Sequence, residues 1–304
     1  MKRKLFAALI VVAMALTVLP ETLRQLHDLR YVAQEWVSAG LWNGLYTDVH
    51  AREGAPPAQS ASPSSEQNNF QWRGRIAPGR AIEVKGINGP VRAEASQGGE
   101  VEVVAVKTAR NSDPASVRLQ VVEHPGGVTI CAVYPDGDPS KPNECKPGNA
   151  GHSSVRDNDV KVEFTVRVPA GVRFVGRTVN GRVDATSIGG DVEAYTVNGG
   201  IQVSASGLAR AKTVNGSINA SLGSANWTDK LEFKTVNGSI TLDLPSVINT
   251  EFQADTVNGE INTDFPLTVQ GRFSRRHVQG TIGSGGRELI AQTVNGSIRL
   301  RRAQ

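Results

Sequence analysis

From Phe70 onward the chain alternates apolar and polar residues with a period of two, in short runs broken by glycine, proline, asparagine and aspartate. AIEVKGI (81–87), EVEVVAV (100–106), VRLQVVE (117–123), GVTICAVY (127–134) and VKVEFTVRV (160–168) are short runs rich in valine and isoleucine, alternating or nearly continuously apolar and separated by turn residues, which predicts strands. No stretch of this part carries the 3.6-residue period of an amphipathic helix. The pattern therefore predicts an all-β fold.

From Thr178 the runs become repetitive. TVNG occurs six times, followed in turn by RVDA, GIQV, SINA, SITL, EINT and SIRL. The markers are Asn180–Gly181, Asn198–Gly199, Asn215–Gly216, Asn237–Gly238, Asn258–Gly259 and Asn295–Gly296, with degenerate copies at Gly189 (IGGDV), Gln279 (VQGTI) and Asn88 (INGPV). Markers from Asn198 to Asn258 lie 17, 22 and 21 residues apart, a period that signals stacked repeats. Asparagine and glycine are the residues that best tolerate positive φ, so each word reads as a sharp structural turn whose glycine is demanded by that conformation. Around Asn237 the alternation sends Leu231, Phe233, Thr235, Ile240, Leu242 and Leu244 inward. It sends Glu232, Lys234, Ser239, Thr241 and Asp243 outward. Two architectures satisfy this pattern: a β-solenoid with TVNG corners, or an antiparallel meander of Asn-Gly hairpins. Identity of the words beyond turn chemistry favours the solenoid, because each copy then lies about 4.8 Å from the next and residues that stack on themselves are selected.

Residues before this region differ in kind. Lys2, Arg3 and Lys4 precede an apolar run from Leu5 to Leu19, so residues 1–20 read as a signal peptide or membrane anchor. Residues 21–50 carry Leu23, Leu26, Val32, Trp36 and Leu41 at helical spacing, as in an amphipathic, interfacial helix or one packed on the domain. Residues 51–69 are a Pro/Ser/Ala linker, and 70–304 form the β domain, with a less regular part over 70–175 and the TVNG repeats over 176–304. Export makes the two cysteines interpretable: Cys131 and Cys145 bracket what reads as a long hairpin loop and are expected to form a disulfide.

Candidate chemistry adds little. A net charge of +4 from 33 basic and 29 acidic interspersed residues gives no reason to expect nucleic acid as a partner. The five histidines are scattered, none paired at metal spacing, and no phosphate-cradling loop occurs, so no metal, cofactor or catalytic residue is assigned. The enzyme reading to beat is a polysaccharide-cleaving solenoid with two carboxylates on one coil face; the candidate pairs are Asp184 with Asp191, Asp255 with Glu260, and Asp243 with Glu251. Outward rows such as Lys212, Lys234, Asp255 and Gln292 are expected to present a binding surface. Arg299, Arg301 and Arg302 are expected to protect an open strand edge at the last coil.

The repeated TVNGxI, the strand VRVPAGVRF (166–174) that leads into it, and the Cys131 to Cys145 insert together resemble a bacterial family of β-strand-repeat domains of unknown function, called toastrack or "putative adhesin" domains. The resemblance covers roughly residues 70–300. It implies an envelope-exposed, non-enzymatic repeat domain that binds an envelope protein or a surface polysaccharide and meets the membrane through residues 1–20 if these are retained. An ectodomain that senses envelope stress and a polysaccharide-active enzyme are the other expectations.

Overall fold

Alternation lets a strand bury one face only, and this chain buries that face by folding its strands into two sheets packed on each other. The computed structural model describes residues 69–136, 140–223, 227, 229–269 and 274–303. The expectations for a leader, a helix and all but the last residue of the linker lie outside them. The first strands are β1 Asn69–Gly74, β2 Ala81–Lys85, β3 Val91–Ala95, β4 Val101–Thr108, β5 Arg118–His124, β6 Gly127–Val133 and β7 Lys161–Val168. The repeat region continues with β8 Arg173–Arg177, β9 Val183–Ile188, β10 Val192–Tyr195, β11 Ile201–Ala205, β12 Ala209–Lys212, β13 Ile218–Leu222, β14 Leu231–Lys234 and β15 Ile240–Leu244. The last strands are β16 Thr250–Asn258, β17 Ile261–Thr263, β18 Thr268–Val269, β19 His277–Ile282, β20 Arg287–Asn295 and β21 Ile298–Arg302.

One sheet has ten strands in the order β1-β4-β7-β3-β9-β11-β13-β15-β21-β17. The other has eleven, ordered β18-β19-β16-β20-β14-β12-β10-β8-β2-β6-β5. Their central strands pair in parallel, as in a β-solenoid, and antiparallel strands are added at the ends: β4 and β1 beyond β7, β5 beyond β6, and β19 and β18 beyond β16, while β17 ends the ten-stranded sheet in a parallel pair. Each Asn-Gly word joins a strand of the eleven-stranded sheet to one of the ten-stranded sheet, so it is an arch between sheets. The meander is thereby excluded, since a hairpin turn would join neighbours in one sheet. The inward residues are those the alternation selects: Leu231, Phe233, Ile240, Leu242 and Leu244 are fully buried, and Thr235 nearly so.

Of the degenerate copies INGPV is a true corner, because β2–β3 is the first coil and Asn88 bridges to Asn180. Three expectations are corrected. VQGTI is no corner, since Gln279 lies within β19, antiparallel to β16, and Gly189 lies at the opposite turn, where the chain returns from β9 to β10. The Cys131 to Cys145 segment is no hairpin loop: it begins a connection, 134–160, that carries the chain from β6 in one sheet to β7 in the other. The last coil in sequence, β20–β21, is inserted between β14–β15 and β16–β17, so it is not the end of the stack: Arg299 is flanked by β15 and β17, and Arg301 and Arg302 pair with β15 just past the end of the shorter β17.

Cys131 and Cys145 are bonded, with Cα atoms 5.7 Å apart. The connection they anchor is also held by the buried Tyr134, whose hydroxyl donates to the Val160 carbonyl at 2.8 Å, and by Asn143, which bonds the Tyr134 and Ser154 carbonyls. Replacing both cysteines with serine is expected to cost about 3 kcal/mol by the loop-entropy relation, read as the fall in unfolding free energy extrapolated from urea titrations in which midpoint and slope are both fitted.

Candidate functional site

Threonine, asparagine and glycine of the repeated word each have a place in the stack. The threonine hydroxyl donates to the carbonyl of the glycine one coil away: Thr196 to Gly181 at 2.7 Å, Thr213 to Gly199 at 2.9 Å, Thr235 to Gly216 and Thr293 to Gly238 at 2.8 Å. The asparagines form a ladder, each Nδ2 donating to the next Oδ1 along Asn180 to Asn88, Asn198 to Asn180, Asn215 to Asn198, Asn237 to Asn215, Asn295 to Asn237 and Asn258 to Asn295, at 2.7 to 2.9 Å. Serine extends it where present, the Ser239 Oγ accepting from the Ser297 backbone N–H at 3.2 Å. Stacked amides of this kind satisfy one another only when the coils are in register, so the ladder fixes the stack.

The glycines are required for a different reason from the one the sequence suggests. Of the six TVNG glycines only Gly296 has a φ in the positive range, at 157°, beside extended backbone, and none of the six asparagines does. What excludes a side chain is the neighbouring coil. A Cβ on Gly181, Gly199, Gly216, Gly238, Gly259 or Gly296 would overlap the carbonyl oxygen of Gly89, Gly181, Gly199, Gly216, Gly296 or Gly238 respectively. That carbonyl is the one that accepts from threonine in the inner coils, so close approach and hydrogen bonding are one feature. The corner builds the stack and leaves its chemistry satisfied within the protein.

The expected row Lys212, Lys234, Gln292 and Asp255 is real as a register, running across β12, β14, β20 and β16 on the outward side of the eleven-stranded sheet. It is not freely presented. Glu232 bonds Lys212 at 2.6 Å and Lys234 at 2.7 Å, and Lys234 and Gln292 are buried. Gln292 donates to Asp255, which also meets His277 Nδ1 at 2.5 Å. Nearer the first coil Arg177 bonds the buried Glu83 at 2.7 Å and lies over the Tyr195 ring. Burial opposes ionisation of Glu232, but hydrogen bonds and charge pairing with the two lysines outweigh it and hold its carboxyl at about 2. A depressed folded-state value contributes stability that is complete above the ordinary carboxylate range and is lost as pH falls through about 2. Glu232→Gln is therefore expected to destabilise strongly at pH 7 and progressively less toward pH 2, read from denaturant midpoints across that range.

On the opposite, ten-stranded sheet Arg92 and Asp184 are paired with Glu163 and Arg182, and the outward residues of the later coils are the accessible ones. Arg92, Asp184, Gln202, Asn219, Thr241, Arg299 and Asn262 are consecutive register partners across β3, β9, β11, β13, β15, β21 and β17. A second row runs Ser204, Ser221, Asp243 and Arg301. Gln202, Asn219, Ser221, Arg299 and Arg301 are exposed, Thr241 and Asp243 half-buried. This surface was legible: four residues after each marker asparagine stand Arg92, Asp184, Gln202, Asn219, Thr241, Asn262 and Arg299. Sequence order alone puts Arg299 on the last coil, which is why the sequence suggests an edge there.

The candidate carboxylate pairs are divided among different elements. Asp184 lies on the ten-stranded sheet and pairs with Arg182, whereas Asp191 accepts from the Leu208 N–H at the return turn. Asp255 faces out from the eleven-stranded sheet beside His277, and Glu260 lies past the corner near Arg275. Asp243 and Glu251 belong to different sheets, Glu251 accepting from the Thr281 hydroxyl.

The model of the family described as Toastrack DUF4097 matches residues 177–301. No curated protein matches the chain. Among solved structures it is similar to a "putative cell adhesion protein" from Clostridium sporogenes, at 12% identity over 77% of this chain and 100% of that one, TM-score 0.38. It is also similar to a "putative adhesin" from Bacteroides fragilis, at 13% identity over 78% and 99%, TM-score 0.33. A third is a "putative lipid binding protein" from Parabacteroides distasonis, at 10% identity over 78% and 98%, TM-score 0.22.

Proposed function

We propose that this chain, whose repeat region over residues 177–301 is of the Toastrack family, is a non-enzymatic, extracytoplasmic binding or scaffolding module of the bacterial cell envelope. Its contact surface is the outward face of the ten-stranded sheet. The observation that carries this reading is the pair of rows in which amide, hydroxyl and guanidinium groups recur from coil to coil in register. Strand spacing sets that recurrence at about 4.8 Å. Regularly spaced, individually weak polar groups suit a partner that is itself repetitive, a surface polysaccharide or an envelope protein with a strand-like edge, because small contacts add along the stack. The Cys131–Cys145 disulfide supports an oxidising compartment, and the apolar run over residues 5–19 supports export.

The test is an alanine series in the full chain at Gln202, Asn219, Thr241, Arg299 and Arg301, singly and together, with Asp184, Asp243 and Asp255 added as carboxylate controls. Binding to intact bacterial cells and release of sugar from envelope polysaccharide are both measured. Graded loss of binding that accumulates with each substitution, with no sugar released, supports the module. One carboxylate whose removal ends a measurable hydrolysis overturns it in favour of an enzyme.

A further inference from the structure

The β20–β21 coil is out of sequence order in the stack. This coil follows β16–β17 in sequence, yet in both sheets it lies between that pair and β14–β15. Its two neighbours are formed from earlier chain, and they meet it from both sides: β14 and β15 through one set of register pairs, β16 and β17 through the other. The corner ladder runs through it, with Asn295 donating to Asn237 and accepting from Asn258. The threonine bonds do the same, Thr293 donating to the Gly238 carbonyl and Thr256 to the Gly296 carbonyl. One covalent connection, residues 283–286 (Gly-Ser-Gly-Gly), joins the coil to β19. It rounds Asn249, whose Oδ1 accepts from the Ser284 N–H at 2.9 Å, and its three glycines all have positive φ.

We infer that the β20–β21 coil is an exchangeable element, and that a second copy of this chain can supply it to the same slot, so that two copies assemble by reciprocal insertion of their last coils. Exchange conserves all the strand pairings and corner bonds of the coil, because none of them depends on which copy provides it. Only the path of residues 283–286 changes, and glycine there accepts an extended path as readily as a turned one. The balance between closed and exchanged forms is then governed by protein concentration and by the reach of that connection, the conditions under which identical elements swap between protomers. A coil at the end of a stack would be held from one side. This one is held from two, so an exchanged coil is as secure as an interior repeat.

Asp243 and Arg301 are register partners on the outward face of the ten-stranded sheet, which provides the probe. Full chain carrying Asp243→Cys is mixed with full chain carrying Arg301→Cys. The two are unfolded and refolded together with the native disulfide kept oxidised, over a range of concentrations, and treated with a short bismaleimide. The chain carrying both substitutions reports the closed form by an internal cross-link. The expected result is a covalent heterodimer joined between positions 243 and 301, mapped by mass spectrometry. Its yield should rise with concentration and rise several-fold further when Gly285 and Gly286 are deleted, since the shortened connection cannot round Asn249. Only monomers from the mixed single variants, at every concentration and with the shortened connection, would overturn the inference. The readout is independent of any ligand, so its failure leaves the proposed binding surface untouched.

Discussion

Replacing Gly238 with valine is expected to remove at least about 3 kcal/mol of stability, whereas Ser239→Thr stays within about 0.5 kcal/mol. The cause is a clash with the backbone of the next coil. A Cβ at residue 238 overlaps the Gly216 carbonyl oxygen, and that oxygen is also the acceptor for Thr235. Relief requires the coils to separate, which lengthens the Asn237 to Asn215 bond and the strand pairing of β13 with β15 together. Gly238→Ala should already destabilise, because the overlap begins at Cβ. Threonine at 239 keeps the oxygen that accepts from Ser297 N–H. Urea titrations of the three variants check this. A benign Gly238→Ala beside a damaging Gly238→Val would return the cause to backbone conformation, where β-branching and not the first carbon is decisive.

The inward and outward assignment of repeat residues was legible because strand alternation is strict and each copy repeats it. The distinction between solenoid and meander rested on identity of the words, and the ladder supplies its physical basis: a hairpin needs any good turn, but an amide that bonds its own kind in the next coil needs asparagine at every corner. The role of glycine was misread because Asn-Gly is informative about φ in hairpins, and an arch between sheets has no such requirement. Close approach between coils depends on stacking, which no single copy reveals. For the outward residues, sequence assigned the faces correctly but not their accessibility. Lys234 and Glu232 alternate like any exposed pair, and only the structure shows them buried and bonded to each other. Coil order was illegible for a similar reason. TVNGSITL and TVNGSIRL are close to interchangeable as words, so nothing in them says which neighbour each takes.

A chain ending at Gly286 is expected to lose more than one coil's worth of structure. Leu289, Ile298 and Leu300 are fully buried, and withdrawing them forfeits about 1.5 to 3 kcal/mol for each side chain. In an ordinary linear repeat protein removal of the final repeat trims one end and leaves the others paired. Here, among the described residues, the removed coil is the sole strand-paired link from β16 to β14 and from β17 to β15. Amides of β16 lose their partners in β20 and keep only the antiparallel pairing with β19, a ribbon too small to be stable alone. Hydrogen exchange should therefore show protection vanishing across β16 to β19, while β8 to β13 retain it. If β16 stays fully protected, it has stepped down onto β14 and the inserted order is dispensable; collapse of protection confined to residues 250–282 establishes the last coil as the clamp on that end of the stack.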